Sequence, residues 1–173
     1  MTTMAGQLRE FLERVKTLPL FEELDFTDIN AVNSDGENAL HIAVWWQDIE
    51  AVKLLLAAGI NIDQPGDLGH TPLHEACMRG SLEIVRLLVE HGADLFALTE
   101  GHPPFTTARF ANNDHICDYL AGEMKKRQRE DPAVWVRARI RQLQAEIDRL
   151  EKQVGPHDQT QGAHPTLRYD ANI

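Results

Sequence analysis

Apolar residues recur at helical spacing along most of the chain, and turn-forming residues interrupt them at regular intervals. Leu8, Phe11, Leu12 and Val15 stand at i, i+3, i+4 and i+7, which predicts an amphipathic helix near the N-terminus. Leu73, Ala76 and Cys77 make one apolar face of another helix. Thr71-Pro72 opens it, because a proline in the first turn loses no needed donor. Gly80-Ser81 breaks that helix, and Ser81 is placed to cap the next. Ile84, Val85, Leu87 and Leu88 form the buried face of the next helix, and Gly92 ends it. The unit is a helix pair plus a turn, and such a pair cannot bury its apolar surface alone.

That unit is repeated. GENALHIAVWWQDIEAVKLLLAAGINID, from Gly36, aligns with GHTPLHEACMRGSLEIVRLLVEHGADLF, from Gly69. Leu40 maps to Leu73, His41 to His74, Ala43 to Ala76, Leu55 to Leu88 and Gly59 to Gly92, always at an offset of 33. With TPLHEA followed by LEIVRLLVEHGADL, the second copy resembles an ankyrin repeat, whose period is about 33 residues. Weaker copies flank these two. HPPFTTARFANNDHICDYL follows at an offset of 32, with Thr106 in place of the motif histidine and Met124 in place of the closing glycine, so its last helix is expected to run on through Arg127. Before them, FTDINAVNSDG sits like GINIDQPGDLG. The resemblance covers roughly residues 20–122. It implies an all-α ankyrin-repeat solenoid of stacked helix pairs with degenerate caps, spanning 1–130 with the N-terminal helix.

Residues 131–154 depart from the repeat. After the Asp131-Pro132 break, Val136, Ile140, Leu143, Ile147, Leu150 and Val154 alternate spacings of four and three, a heptad seam on an amphipathic helix. Ile140, Ile147 and Val154 take position a; Val136, Leu143 and Leu150 take position d. In a parallel homodimer Glu146 would meet Glu151 of the other copy, Arg139 would meet only Gln144, and three heptads are short, so self-association through 136–154 is not favoured. Packing on the chain's own stack and binding a different protein stay open. Trp135 lies outside the seam and is expected to pin the helix start. Residues 155–173 read as a polar, flexible tail.

Composition narrows the chemistry. The chain has 173 residues, 43% of them hydrophobic, enough for one core with an appendage. Residues 1–124 hold 7 Lys/Arg against 20 Asp/Glu, a net of −13, while residues 125–173 hold 10 against 7, a net of +3. An acidic body argues against nucleic acid as a partner and suits a basic protein. No 18-residue apolar run occurs, so no membrane partner is expected. The charged N-terminal stretch predicts no secretory signal, and with only Cys77 and Cys117 a cytoplasmic location is expected. Both cysteines fall on packing faces, as inert thiols do. No catalytic or cofactor-binding motif appears, so no enzyme, cofactor or metal is expected. The resemblance makes His41 and His74 structural, bonding to the backbone. His70 and His102 sit at turn tips one repeat apart, with Asp67 and Glu100 nearby, which leaves a metal or enzyme site at the tips as the less favoured alternative.

Two adjacent tryptophans, Trp45 and Trp46, need another account. On a helix neighbours point about 100° apart and cannot share one narrow stripe. They occupy the two slots after the first helix's packing residues; the same slots hold Met78 and Arg79 in the next repeat, and Phe110 in the third. The resemblance implies that these slots line a concave face. Trp45, Trp46, Met78, Arg79 and Phe110 would then form one partner-binding stripe. Asp35, Glu37, Asp67, Leu68, His70 and His102 would flank it from the turn tips. Aromatics and arginine ringed by polar groups is the composition of a binding hot spot. The expected function is non-catalytic binding of a protein partner on that face, in the manner of a sequestering inhibitor such as an immunity protein or antitoxin. The alternative is an effector or adaptor that bridges two proteins.

Overall fold

Left-handed backbone marks out the architecture. In the computed structural model, which describes residues 3–154, every residue of positive φ falls at one of three recurring places. Gly36, Leu68-Gly69 and Glu100-Gly101 form the turn tips, Gln47, Gly80 and Asn112 separate the helices of each pair, and Gly59 and Gly92 close the second helices. The chain therefore reverses direction at the same points of each repeat. Helices fill the intervals, and no strand forms among the described residues.

Helix α1 spans Met4–Val15. The pairs are α2 (Ala39–Trp45) with α3 (Ile49–Ala57), α4 (Pro72–Arg79) with α5 (Leu82–Glu90), and α6 (Pro104–Phe110) with α7 (Asp114–Glu130). α2, α4 and α6 pack side by side as an inner row; α3, α5 and α7 stack as an outer row, and α1 closes the first end against α2 and α3. The core runs between the rows, with Leu40, Val44, Leu55, Leu73, Ile84 and Leu88 fully enclosed. Leu87, expected in that core, is only half-buried, and so is Leu54 at the equivalent place. Ile84, Val85, Leu88 and Val89 already fill the inward face of α5, so Leu87 is rotated to its edge.

The motif histidines tie repeats together. The Thr71 N–H donates to His74 Nδ1 at 3.2 Å, which places the ring proton on Nε2; Nε2 in turn donates to the His102 carbonyl, also at 3.2 Å. His41 repeats the arrangement with the Asn38 N–H and the His70 carbonyl. Each ring thus caps its own helix and holds the next turn tip. Burial pushes His74 down to about 4 and lowers His41 in the same direction.

Without a closing glycine, α7 runs on to Glu130. Its Arg127 donates to the Val89 and Ala93 carbonyls, satisfying acceptors at the end of α5. Helix α8, Val134–Val154, follows the corner at Asp131, which pairs with Arg137. Trp135 sets its ring edge-on to Phe96 at 4.8 Å, and Ala138 is buried beside it. Arg141 pairs with Asp94. Val136, Ile140, Leu143, Ile147 and Leu150 of the heptad seam point the other way, into solvent, so they are not the surface by which the helix meets its own stack. The tail expected over 155–173 lies outside the described residues.

Candidate protein-binding face

The repeat register brings most of the expected contact residues together on the inner row. Trp45 ends α2, and Met78 and Arg79 end α4, one repeat on. Between them and the turn tips lies an open groove of about 510 Å³. Ile42, Trp45, Leu68 and Met78 supply apolar floor and wall, and Glu37, Asp67 and Glu75 supply acidic groups. His70 closes one side. Trp45 is 48% exposed, Met78 44% and Leu68 58%, so large apolar side chains stand open to water in one cluster.

Arg79 does not offset the acidic character freely. Its Nε donates to Glu75 at 2.6 Å, and its guanidinium lies 5.1 Å from the centre of the Trp45 ring. The ion pair and the cation–π contact hold the arginine across the groove mouth and orient the indole. A second hollow of about 320 Å³ continues past His70 and Met78 to Phe110, which is 72% exposed. His102 meets Phe110 edge-on at 5.7 Å. The groove thus extends over three repeats.

Trp46 does not join this stripe. It caps α2 on the opposite side, packed edge-on against buried Phe11 at 5.8 Å, with the Arg14 guanidinium 4.9 Å above its ring. The expected stripe of five is corrected to Trp45, Met78, Arg79 and Phe110. The 100° step between neighbours turned one indole to the groove and the other to α1. Asp35 sits exposed at the first tip but does not line either hollow.

Other groove residues had escaped the repeat comparison. The segment Leu18–Phe21, between α1 and the first repeat, forms one wall; Leu20 is 53% exposed while Phe21 is buried and anchors it. This wall lies outside the best-matched repeats, so no counterpart in another repeat pointed to it. Glu75 stands one helical turn before Arg79, and that i, i+4 spacing was the available signal. Leu68 carries its own signal in the backbone. A leucine at φ 52° is uncommon outside glycine-like turns, and here the tip holds it up into the groove.

The chemistry of the remaining candidates is quiet. Burial drives the Cys77 thiol far up and raises Cys117, so neither tends toward thiolate. His70 and His102 offer their carbonyls to His41 and His74, and no group of three or more His, Cys, Asp or Glu side chains is arranged for a metal among the described residues. None of the described helices is long and apolar enough to cross a membrane.

Known proteins share this pattern over part of the chain. The ankyrin repeat family model matches residues 68–100, and a related model for ankyrin repeats in many copies matches residues 20–56. Mouse RelA-associated inhibitor is 39% identical over 75 residues, which are 43% of this chain and 9% of that protein. Mouse protein phosphatase 1 regulatory subunit 27 is 42% identical over 66 residues, 38% of this chain and 43% of that protein. Chicken NF-kappa-B inhibitor alpha is 39% identical over 67 residues, 39% of this chain and 21% of that protein. The chain thus spans less than half the length of each. With the matched repeats and the stacked helix pairs in agreement, the chain is an ankyrin repeat protein with a short array of repeats.

Proposed function

We propose that the chain is a non-catalytic binding module whose groove holds a basic segment of a partner protein and so sequesters it. The observation that carries this reading is the groove itself: exposed Trp45, Leu68 and Met78 beside Glu37, Asp67 and Glu75. Apolar anchors give affinity when they are desolvated at the centre of a contact, and surrounding charge selects the partner and speeds encounter. A partner strand or helix with one or two large apolar side chains flanked by Lys or Arg fits both features. Arg79, already held by Glu75, leaves the other acids to meet those cations.

The sequestering role has further support in the names of two relatives, each called an inhibitor. The net charge of −10 suits the masking of a basic protein, as an immunity protein or antitoxin does. Two free cysteines, one of them buried, suit a reducing cytoplasm.

Selection from a displayed random-peptide library tests the reading. Sequences enriched on the wild-type chain should carry Lys or Arg beside a bulky apolar residue, and should be lost on a Trp45→Ala/Met78→Ala chain. Enrichment of acidic peptides, or of peptides that bind the double variant equally well, would refute the groove as the binding site.

A further inference from the structure

Helix α8 has two faces with different fates. Ala138, Arg141 and Gln142 turn toward the stack, where Ala138 is buried, Arg141 pairs with Asp94 and Gln142 borders a hollow over the turns. Asp63 and Asp94 lie together there, with the Asp94 N–H bonded to the Asp63 carboxylate, so this edge of the body attracts arginine. The opposite face carries the heptad seam. Val136 is 61% exposed, Ile140 57%, Leu143 41%, Ile147 47% and Leu150 52%. Five large apolar side chains in a continuous line on one helix, with the body bound behind the first two turns, make an unfinished interface.

The flanking charges select the occupant. In a parallel pair, Glu146 would face Glu151 of the other copy twice, with no opposite-charge pair to offset it. An antiparallel pair behaves differently, because position e then faces e and g faces g. The register that aligns Ile140 with Leu150 and Leu143 with Ile147 continues to positions 136 and 154, so the seam overlaps from end to end. In that register Arg137, which pairs with Asp131 of its own chain, also comes to face Glu151 of the second copy, and the symmetry repeats the pair at the other end. Gln144 meets Gln144 at the axis, where two amides can bond to each other. Glu146 meets its own copy once, the single unfavourable contact. An isologous two-fold contact of this kind closes on itself and stops at two chains.

The stack also lowers the cost of association. Trp135 against Phe96, buried Ala138, and Arg141 against Asp94 hold the first two turns of α8 on the stack, so the ordering of that part is not charged to the dimer. From the exposed seam and this charge pattern we infer that a second copy of the chain covers α8, the two helices running antiparallel with the stacks on opposite outer sides.

Sedimentation equilibrium of the full chain tests this. The expected mass is twice the 19.5 kDa of one chain, and Ile147→Asp should return it to one chain without loss of helical signal. Glu151→Arg should weaken the dimer roughly tenfold, since two attractions become repulsions, and adding Arg137→Glu should restore it. The same Glu151→Arg change would tighten a parallel pair by relieving its contact with Glu146. A monomer at every concentration, a tighter dimer with Glu151→Arg, or a dimer indifferent to Ile147→Asp would each overturn the inference.

Discussion

Trp45 and Trp46 are chemically identical neighbours with opposite surroundings, so replacing each in turn isolates what position does. A fully buried tryptophan removes ~150–250 Å² from water. Trp46 is mostly covered by Phe11, the rest of α1 and the end of α2. Taking roughly 150 Å² as covered gives about 3–4 kcal/mol at ~25 cal/mol per Å², an upper value because the unfolded chain already hides some of that area. Trp46→Ala is therefore expected to destabilise the fold by about 2–3 kcal/mol, with loss of the Phe11 edge contact and the Arg14 stacking included. Trp45 is 48% exposed, and its main specific partner is the flexible Arg79. Trp45→Ala should cost about 1 kcal/mol or less. Urea unfolding followed by circular dichroism measures both, since fluorescence would change with the indoles themselves. Equal losses, or a greater loss at Trp45, would refute the division of the pair between α1 and the groove. Trp46→Phe keeps a ring against Phe11 and should recover part of the loss.

Leu88→Ala should cost about 2–5 kcal/mol, because it empties a fully enclosed site, while Leu87→Ala at the half-buried edge should cost less than half as much; similar urea midpoints would contradict the assignment of α5's faces. The pH dependence follows from His74, whose value of about 4 lies below the ordinary 6.5: between those values the unfolded chain holds the extra proton, so stability falls as pH drops through that window. The loss should reach roughly 2 kcal/mol by pH 5, with His41 adding in the same direction, and a urea midpoint unchanged from pH 7 to pH 5 would mean that the rings are not held neutral. Leu68→Asn should stabilise the fold by about 0.5–1 kcal/mol, since asparagine accepts the left-handed turn more readily, while weakening capture of basic peptides; a stability gain with undiminished capture would remove Leu68 from the site.

Local periodicity determined much of this protein before any contact was known. The 33-residue offset places a helix pair and a glycine-bearing tip in each of the two well-matched repeats, because these depend on neighbours a few residues away, while the structural role of His41 and His74 came from the resemblance to ankyrin repeats. That Trp45, Met78, Arg79 and Phe110 lie near one another was legible too, since matching slots in stacked repeats lie side by side. Tertiary packing decided the rest. Nothing in AVWWQD says which indole meets α1, because that depends on where a helix thirty residues earlier comes to lie. The Leu18–Phe21 wall lies between α1 and the first helix pair, before the two repeats that align at an offset of 33, and its place follows from how α1 packs on α2 and α3. The seam of α8 was visible as a pattern, but periodicity shows that a face is apolar without showing what covers it. Arg141 at Asp94 and Trp135 on Phe96 turned the opposite face to the stack, and the apolar line was left facing water.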